Sequence, residues 1–261
     1  MHRSLSYIDP QAKLAKNVVV EPFVTIEKDV HIGEGTWVGP NVTIMEGTRI
    51  GTNCRIFPGA VIGAVPQDLK FGGEYSTVEI GNNVTIRECV TINRGTVDRN
   101  TTSIGNNVLL MAYVHVAHDC KVGNNVILAN STNLAGHVDI DEFAILGGGT
   151  LVHQFVHIGQ HAMVSGGALV RKDIPPFTKA AREPISYVGI NSVGLRRRGF
   201  TTEKIQEIQE LYRILFLKGL NQTQAINVIE ADMKASRERD EIISFIQDAK
   251  RGIMKGYLRV K

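Results

Sequence analysis

Apolar residues return at every sixth position of this chain. From Ile8 the series reads Leu14, Val20, Ile26, Ile32, Val38, Ile44, Ile50, Ile56 and Ile62. A second series runs Ile104, Leu110, Val116, Val122, Leu128, Leu134, Ile140, Leu146, Val152, Ile158, Val164 and Val170, with Ile80, Ile86 and Ile92 in phase between the two. In a chain that is 43% hydrophobic, two unbroken runs of this length would arise by chance with a probability on the order of 10⁻⁸. A period of six fits neither an α-helical stripe nor a heptad seam, and it does fit short β segments with a turn after each.

The chain is therefore expected to coil as an all-β hexapeptide-repeat solenoid. Small or modest residues such as Ala12, Val18, Thr36, Cys54 and Ala60 follow four positions after the anchors and would fill a narrow interior. Gly-Asn-Asn recurs at 81–83, 105–107 and 123–125, residue types that tolerate the left-handed backbone of tight corners. Three flats of six residues close a triangular coil of about 18 residues, so side chains about 18 apart stand above one another. About eight coils at roughly 4.8 Å per strand make a stack about 40 Å tall.

The pattern lapses near 63–77 and 95–103, where Asp68, Glu74 and Asp98 take anchor positions. These stretches are expected to be loops leaving the prism, and long loops on a regular scaffold commonly carry function. The repeat stops at Asp173-Ile174-Pro175-Pro176, since consecutive prolines cannot extend a ladder. Beyond it, Thr201 caps a helix bearing Ile205, Ile208, Leu211, Tyr212 and Leu215 and closed by Gly219. Asn221 starts a second helix with Ala225, Ile226 and Ile229, and Glu241 to Ile246 reads as a third. The expected division is a β-solenoid over 1–183 and a small C-terminal α-helical domain over 184–261.

Composition narrows the function. Residues 184–261 hold 14 Lys and Arg against 9 Asp and Glu, and residues 1–183 hold 15 against 17, so a basic tail follows a slightly acidic body. An acidic partner or a diphosphate suits such a tail. One Trp and 6% aromatic residues, with no long basic stripe, argue against nucleic acid. No apolar run reaches the roughly 18 residues of a membrane span, and the first ten residues lack the apolar stretch of a secretory signal, so a cytoplasmic location is expected. Cys54, Cys89 and Cys120 lack metal-site spacing and fit inert core thiols in a reducing compartment. No Walker loop, dinucleotide fingerprint or Gly-x-Ser-x-Gly elbow is present.

The coil arithmetic sorts the histidines. His118, Gly136 and Gln154 are 18 apart and form one column, flanked by His137 and His153, with His115 a corner away. His2, His31, His157 and His161 read as scattered surface histidines. A histidine suits removal of a proton from an alcohol, Asp119 would orient it, and the bare amide of Gly136 would serve an oxyanion. A prism exterior is convex, so the second wall of such a site must come from a loop or another subunit. Zinc held by His115, His118 and His137 is an alternative of a different class, hydration of the gamma carbonic anhydrase type, although the spacing departs from that pattern. An acetyl-CoA-dependent sugar acetyltransferase and a non-catalytic scaffold also remain open.

Several motifs together resemble the UDP-N-acetylglucosamine 3-O-acyltransferase family. They are the hexads, Pro66-Gln67-Asp68-Leu69-Lys70, His115-Val116-Ala117-His118-Asp119, Gly136-His137, Val152-His153-Gln154-Phe155 and Gly194-Leu195-Arg196-Arg197-Arg198-Gly199-Phe200. The resemblance implies a left-handed parallel β-helix, a handedness that periodicity does not show, and a homotrimer with sites between prisms. It implies transfer of a (3R)-hydroxyacyl group from acyl carrier protein to the 3-position of UDP-N-acetylglucosamine, the first step of lipid A synthesis. No cofactor or metal is implied beyond the carrier's phosphopantetheine. Carried over by position, His118 resembles the general base and Gly136 the oxyanion donor. Asp68 and Lys70 resemble sugar contacts, and His115, His137, His153 and Gln154 resemble cleft residues. Asn191, Arg197 and Arg198 resemble nucleotide and phosphate contacts, and Gly166 falls at the acyl-chain ruler. Val193 and Asn93 depart from the pattern of some members, which bears on whether the acceptor sugar carries a 3-hydroxyl or a 3-amino group.

Overall fold

Each hexad solves the same packing problem. A two-residue strand such as Thr25–Ile26 or Thr43–Ile44 turns its first side chain outward and buries the second completely. Burying an isoleucine in this way is worth about 1.5–3 kcal/mol. Three residues after an anchor the chain must turn a sharp corner onto the next face. There the backbone is left-handed: Asn17, Asn41, Asn53, Asn83, Asn107 and Asn125 have φ between 54 and 59°, the conformation asparagine tolerates better than most residues. The computed structural model describes residues 5–256. His2 and the last two basic residues of the tail, Arg259 and Lys261, lie outside the described residues.

Strands pair in parallel with the third strand along, which resolves the prism into three faces. The first face holds nine strands, among them Val61–Ala64, Thr91–Asn93, His115–Val116, Asn133–Leu134 and Leu151–Val152. The second face holds eight, including Thr101–Ile104, Lys121–Val122, Asp139–Ile140 and His157–Ile158. The third carries Leu109–Leu110, Ile127–Leu128, Ile145–Leu146 and Met163–Val164. This is the expected left-handed parallel β-helix, with anchors from Ile26 to Val170 in one continuous core.

The two lapses in the repeat are loops, and both insert whole hexads. Partners are 18 residues apart in most coils, as in His115↔Asn133. They are 30 apart at Val61↔Thr91 and 24 apart at Thr91↔His115. The first loop thus adds twelve residues and the second six, so the inward phase survives each excursion.

After Val170 the chain forms an antiparallel hairpin, Thr178–Ala181 with Ser186–Ile190, on the third face. The expected division at 183 and 184 falls in the turn of this hairpin. Among the described residues four helices follow: α1 (Ser192–Arg197), α2 (Thr202–Leu217), α3 (Gln222–Asp232) and α4 (Arg237–Asp248). Thr201 caps α2 and Asn221 closes a capping box on α3, as the sequence indicates. Helix α4 starts earlier than expected because Ser236 caps it by accepting the Arg239 N–H. Lys255–Gly256 returns to pair with Ser186–Tyr187, and the buried Tyr212 hydroxyl donates to the Pro176 carbonyl at 2.6 Å. The helices are therefore tied to the last coils at both ends.

Candidate active site

The register places the expected column on one edge. Because His115 pairs with Asn133 and Asn133 with Leu151, the turns that follow stack His118 under Gly136 and Gly136 under Gln154. They form the corner where the chain passes from the first face to the second. At such a corner the first amide points away from the ladder. Along the corner between the second and third faces, the amides of Thr52, Asn82 and Asn106 are capped by asparagine side chains from the coil above, at 2.7–2.8 Å. On the His118 edge, the Gly136 N–H has no acceptor among the described residues.

His118 is 13% exposed at its side chain, and its Nδ1 lies 2.8 Å from Oδ2 of Asp119, which is fully buried. A carboxylate accepts, so Nδ1 carries the proton and Nε2 keeps its lone pair. Three further donors hold the carboxylate. The Thr96 and Arg99 amides reach Oδ1 at 3.0 and 3.2 Å, and the Thr96 hydroxyl donates to Oδ2 at 2.7 Å. Burial alone would raise the Asp119 pKa. The hydrogen bonds from His118 and Thr96 outweigh it and bring the carboxyl below its ordinary value, which keeps it ionised.

Glycine at 136 is a steric requirement. A Cβ there would lie 2.6 Å from Cε1 and 2.7 Å from Nε2 of His118. The imidazole therefore rests directly against the coil that carries the unpaired amide.

His137 meets His118 edge to face at 5.1 Å and stacks on Phe155 at 4.5 Å. Its Nδ1 lies 3.1 Å from Asp98 Oδ2 but is out of line for a hydrogen bond and has no other partner. His115 sits on the first face with Nδ1 2.7 Å from the Thr91 hydroxyl, and burial, then the neighbouring His118, lower its pKa. The three-imidazole set of the zinc alternative is not assembled. The donor atoms that converge belong to His118, Asp119 and His137, and the Asp119 oxygens already accept four hydrogen bonds.

The remaining expected residues divide by location. His153 and Gln154 are exposed on the same edge, with His153 Nδ1 3.1 Å from the Gln154 carbonyl. Asp68 and Lys70 lie in the first loop, where Asp68 accepts the Lys70 amide at 3.0 Å. Gly166 is on another edge, between the third face and the first, where a Cβ would come 3.0 Å from the Gly148 carbonyl. Asn191, Arg197 and Arg198 belong to α1 and its caps, near the edge between the second and third faces. Asn191 is 3% exposed. Its amide group donates to the His161 carbonyl at 2.9 Å and its Oδ1 accepts the Gly194 N–H at 3.2 Å. The Arg198 guanidinium lies over the Phe143 ring at 5.0 Å, while Arg197 is exposed. One chain thus sets its expected site residues on three different edges.

Two expectations are corrected. Cys89 is exposed and not a core thiol, because it sits at a corner three residues after the anchor Ile86, with φ 56°. His161 is no surface histidine: it is 6% exposed and stacked between Phe143 and Phe177. The phase of the repeat places it at a corner, and the aromatic rings that cover it come from residues that the period does not predict. His157 is likewise engaged, 2.9 Å from Asp141 and against Phe245. Sequence reasoning also missed Thr96, Arg99 and Phe155. The only signal for the first two was that they lie in a lapse of the repeat.

Comparison with known proteins agrees with this architecture. The family described as bacterial transferase hexapeptide (six repeats) matches residues 29–64 and 101–136. The family described as UDP N-acetylglucosamine O-acyltransferase, domain 2, matches residues 173–254. An acyl-[acyl-carrier-protein]–UDP-N-acetylglucosamine O-acyltransferase of Sulfurihydrogenibium sp. is 58% identical over 247 residues, 94% of this chain and 91% of the relative. The protein of the same name from Thermodesulfovibrio yellowstonii is 46% identical over 95% of this chain and 96% of its own. The crystal structure of the UDP-N-acetylglucosamine acyltransferase of Bacteroides fragilis superposes with a TM-score of 0.96 at 51% identity, covering 98% of this chain and 100% of that one. Likeness of this extent, running through prism and helices alike, makes the chain a member of the acyl-[acyl-carrier-protein]–UDP-N-acetylglucosamine O-acyltransferase family.

Proposed function

We propose that this chain transfers a (3R)-hydroxyacyl group from acyl carrier protein to the 3-hydroxyl of UDP-N-acetylglucosamine, the first step of lipid A synthesis. The observation that carries the mechanism is the pairing of an Nδ1-protonated His118 with an unpaired Gly136 amide one coil above it. His118 Nε2 takes the proton of the sugar hydroxyl while that oxygen attacks the thioester carbonyl. The Gly136 N–H donates to the oxyanion of the tetrahedral intermediate. Collapse breaks the C–S bond, and the imidazolium returns its proton to the departing phosphopantetheine thiolate. Ester and free carrier thiol result, with no acyl-enzyme. In support of direct attack, burial pushes the Cys120 thiol up to about 12 and raises that of Cys54, leaving both poor nucleophiles, and the exposed Cys89 stands on the edge between the third and first faces, not on the His118 edge.

Substrate contacts follow the same reading. Asp68, Lys70, His115, His137, His153 and Gln154 line the sugar and acyl side, and Arg197 and Arg198 serve the nucleotide phosphates. Asn191 supports them as the cap of α1. Since these groups lie on different edges, we infer that a site is completed between copies, as in a homotrimer, with Gly166 bounding the acyl chain. Among the described residues no helix is long and apolar enough to cross a membrane, and a cytoplasmic reaction belongs to the proposal through its carrier-bound donor.

The test supplies the purified protein with UDP-N-acetylglucosamine and either (R)-3-hydroxyacyl carrier protein or acetyl-CoA. Acylated sugar nucleotide should form only with the first donor. Turnover with acetyl-CoA alone would replace the reading with that of a sugar acetyltransferase.

A further inference from the structure

The six-residue insertion that lengthens one coil closes back on the catalytic corner. Without it, a residue 18 positions before Asp119 would lie beneath that corner. With it, the chain at 94–100 leaves the prism and curls under Asp119, with the Asn100 amide closing on the Thr96 carbonyl at 2.7 Å. A fully buried carboxylate is costly unless its oxygens are satisfied, and the insertion supplies three of the four donors. Two are backbone amides, which any residue would provide. The third, the Thr96 hydroxyl, is a side chain, and it shares Oδ2 with His118.

We propose that Thr96 is a positioning residue for His118, acting through Asp119, so that a Thr96–Asp119–His118 chain fixes the tautomer and tunes the basicity of the imidazole. The hydroxyl has one direction in which to donate. It accepts the Asp98 amide at 3.4 Å, and its proton points at Oδ2. Thr96 is 7% exposed, so water does not replace it. The loop is braced from outside, with the Val97 amide donating to Glu74 of the first loop at 2.9 Å. The Arg99 guanidinium donates to the Asp119 carbonyl at 3.0 Å and to the Asp139 carboxylate. Removing the hydroxyl leaves more negative charge on Oδ2 for His118 alone. That stabilises the imidazolium, so deprotonation of the base shifts to higher pH.

The proposal rests on the reading of His118 as the base. It is tested on the full-length protein with hydroxyacyl carrier protein and UDP-N-acetylglucosamine across pH. Thr96→Val should lower kcat about tenfold, leave the KM for the sugar nucleotide within about twofold, and move the rising limb of the kcat profile up by about half a pH unit. Thr96→Ser, which keeps the donor, should restore both rate and limb. Where Thr96→Val does not fold, Thr96→Cys keeps the shape with a weaker donor and should show a smaller shift of the same sign. An unmoved limb in these variants, or Thr96→Ser as impaired as Thr96→Val, overturns the proposal and reduces Thr96 to a structural tie. A silent Thr96→Val beside an inactive His118→Ala defeats this inference alone, whereas an active His118→Ala defeats the reading of the base.

Discussion

At the edge between the first and second faces, His118 lies against a buried carboxylate whose other donors come from an inserted loop. At the next edge round the prism, His161 has no acceptor among the described residues. It stacks on Phe143 at 4.9 Å and Phe177 at 5.6 Å, meets Phe200 edge-on at 5.2 Å, and its Nδ1 is buried without a partner. Burial first, then the charges of Arg198 and Arg237, push its pKa down to about 4. The repeat delivers both histidines to a corner, and segments outside the repeat decide what each one is. A loop carrying Thr96 pairs one with a buried carboxylate, as the proposed base requires, and the junction carrying Arg198 and Phe200 makes the other a neutral packing ring.

Exchanging the two roles by mutation gives the largest expected effect. His118→Ala should lower kcat by about 10³-fold or more with the fold retained, whereas His161→Phe should keep turnover within about threefold. Steady-state rates on both purified variants decide the matter. Equal losses at the two edges would mean that the carboxylate pairing at 118 confers nothing special.

Gly136→Ala probes how closely the ring at the first edge is held. The added methyl would stand 2.6 Å from His118 Cε1, closer than real contacts allow, so the imidazole must swing away from Asp119. The amide proposed for the oxyanion remains in place. A loss of about 10²-fold in kcat is expected, with little change in Tm. Normal turnover would show that the ring has room to spare and that its position against the coil is incidental.

How far the sequence reveals each edge follows from the same contrast. The prism and the stacking of His118, Gly136 and Gln154 are legible because burial imposes a strict period of six and a coil of fixed length. Thr96 and Arg99 are hidden because the coil beneath Asp119 is 24 residues long, so a rule built on 18 points to the wrong neighbour. Asn191 and Arg198 sit near a different edge from His118, a fact that motif matching does not carry. His161 reads as a surface residue because its cover comes from Phe143, Phe177 and Phe200, of which only Phe143 lies within the repeat.

The two edges should also differ in how protons affect stability. With a pKa of about 4 against an ordinary 6.5, folded His161 holds fewer protons than unfolded His161 between those values. Stability is therefore lost as pH falls from about 6.5 to about 4, by up to about 3 kcal/mol. Glu241 of α4, which accepts from Gln160, acts in the opposite sense. Burial pushes its carboxyl up to about 7, so stability is gained as pH falls from 7 toward 4.5 and lost as pH rises through 7. His157 adds to that direction, because Asp141 raises its pKa despite burial. Urea unfolding against pH should show acid sensitivity reduced in His161→Phe and exposed in Glu241→Gln. Parallel curves for wild type and His161→Phe would place the neutral ring elsewhere.

The smallest effect separates two contacts made by the same loop. Asp98 lies 3.1 Å from His137 Nδ1, but its side chain is 64% exposed and the geometry is out of line for a hydrogen bond. Water and salt screen such a pair, and exposed pairs contribute about 0–1 kcal/mol. Asp98→Asn should therefore change kcat by no more than about threefold, and less in 0.5 M salt than at low ionic strength. Thr96, two residues earlier in the same loop and out of reach of solvent, should matter more despite carrying no charge. A loss from Asp98→Asn as deep as that from Thr96→Val would show instead that His137 needs its own carboxylate, and that the loop serves two imidazoles rather than one.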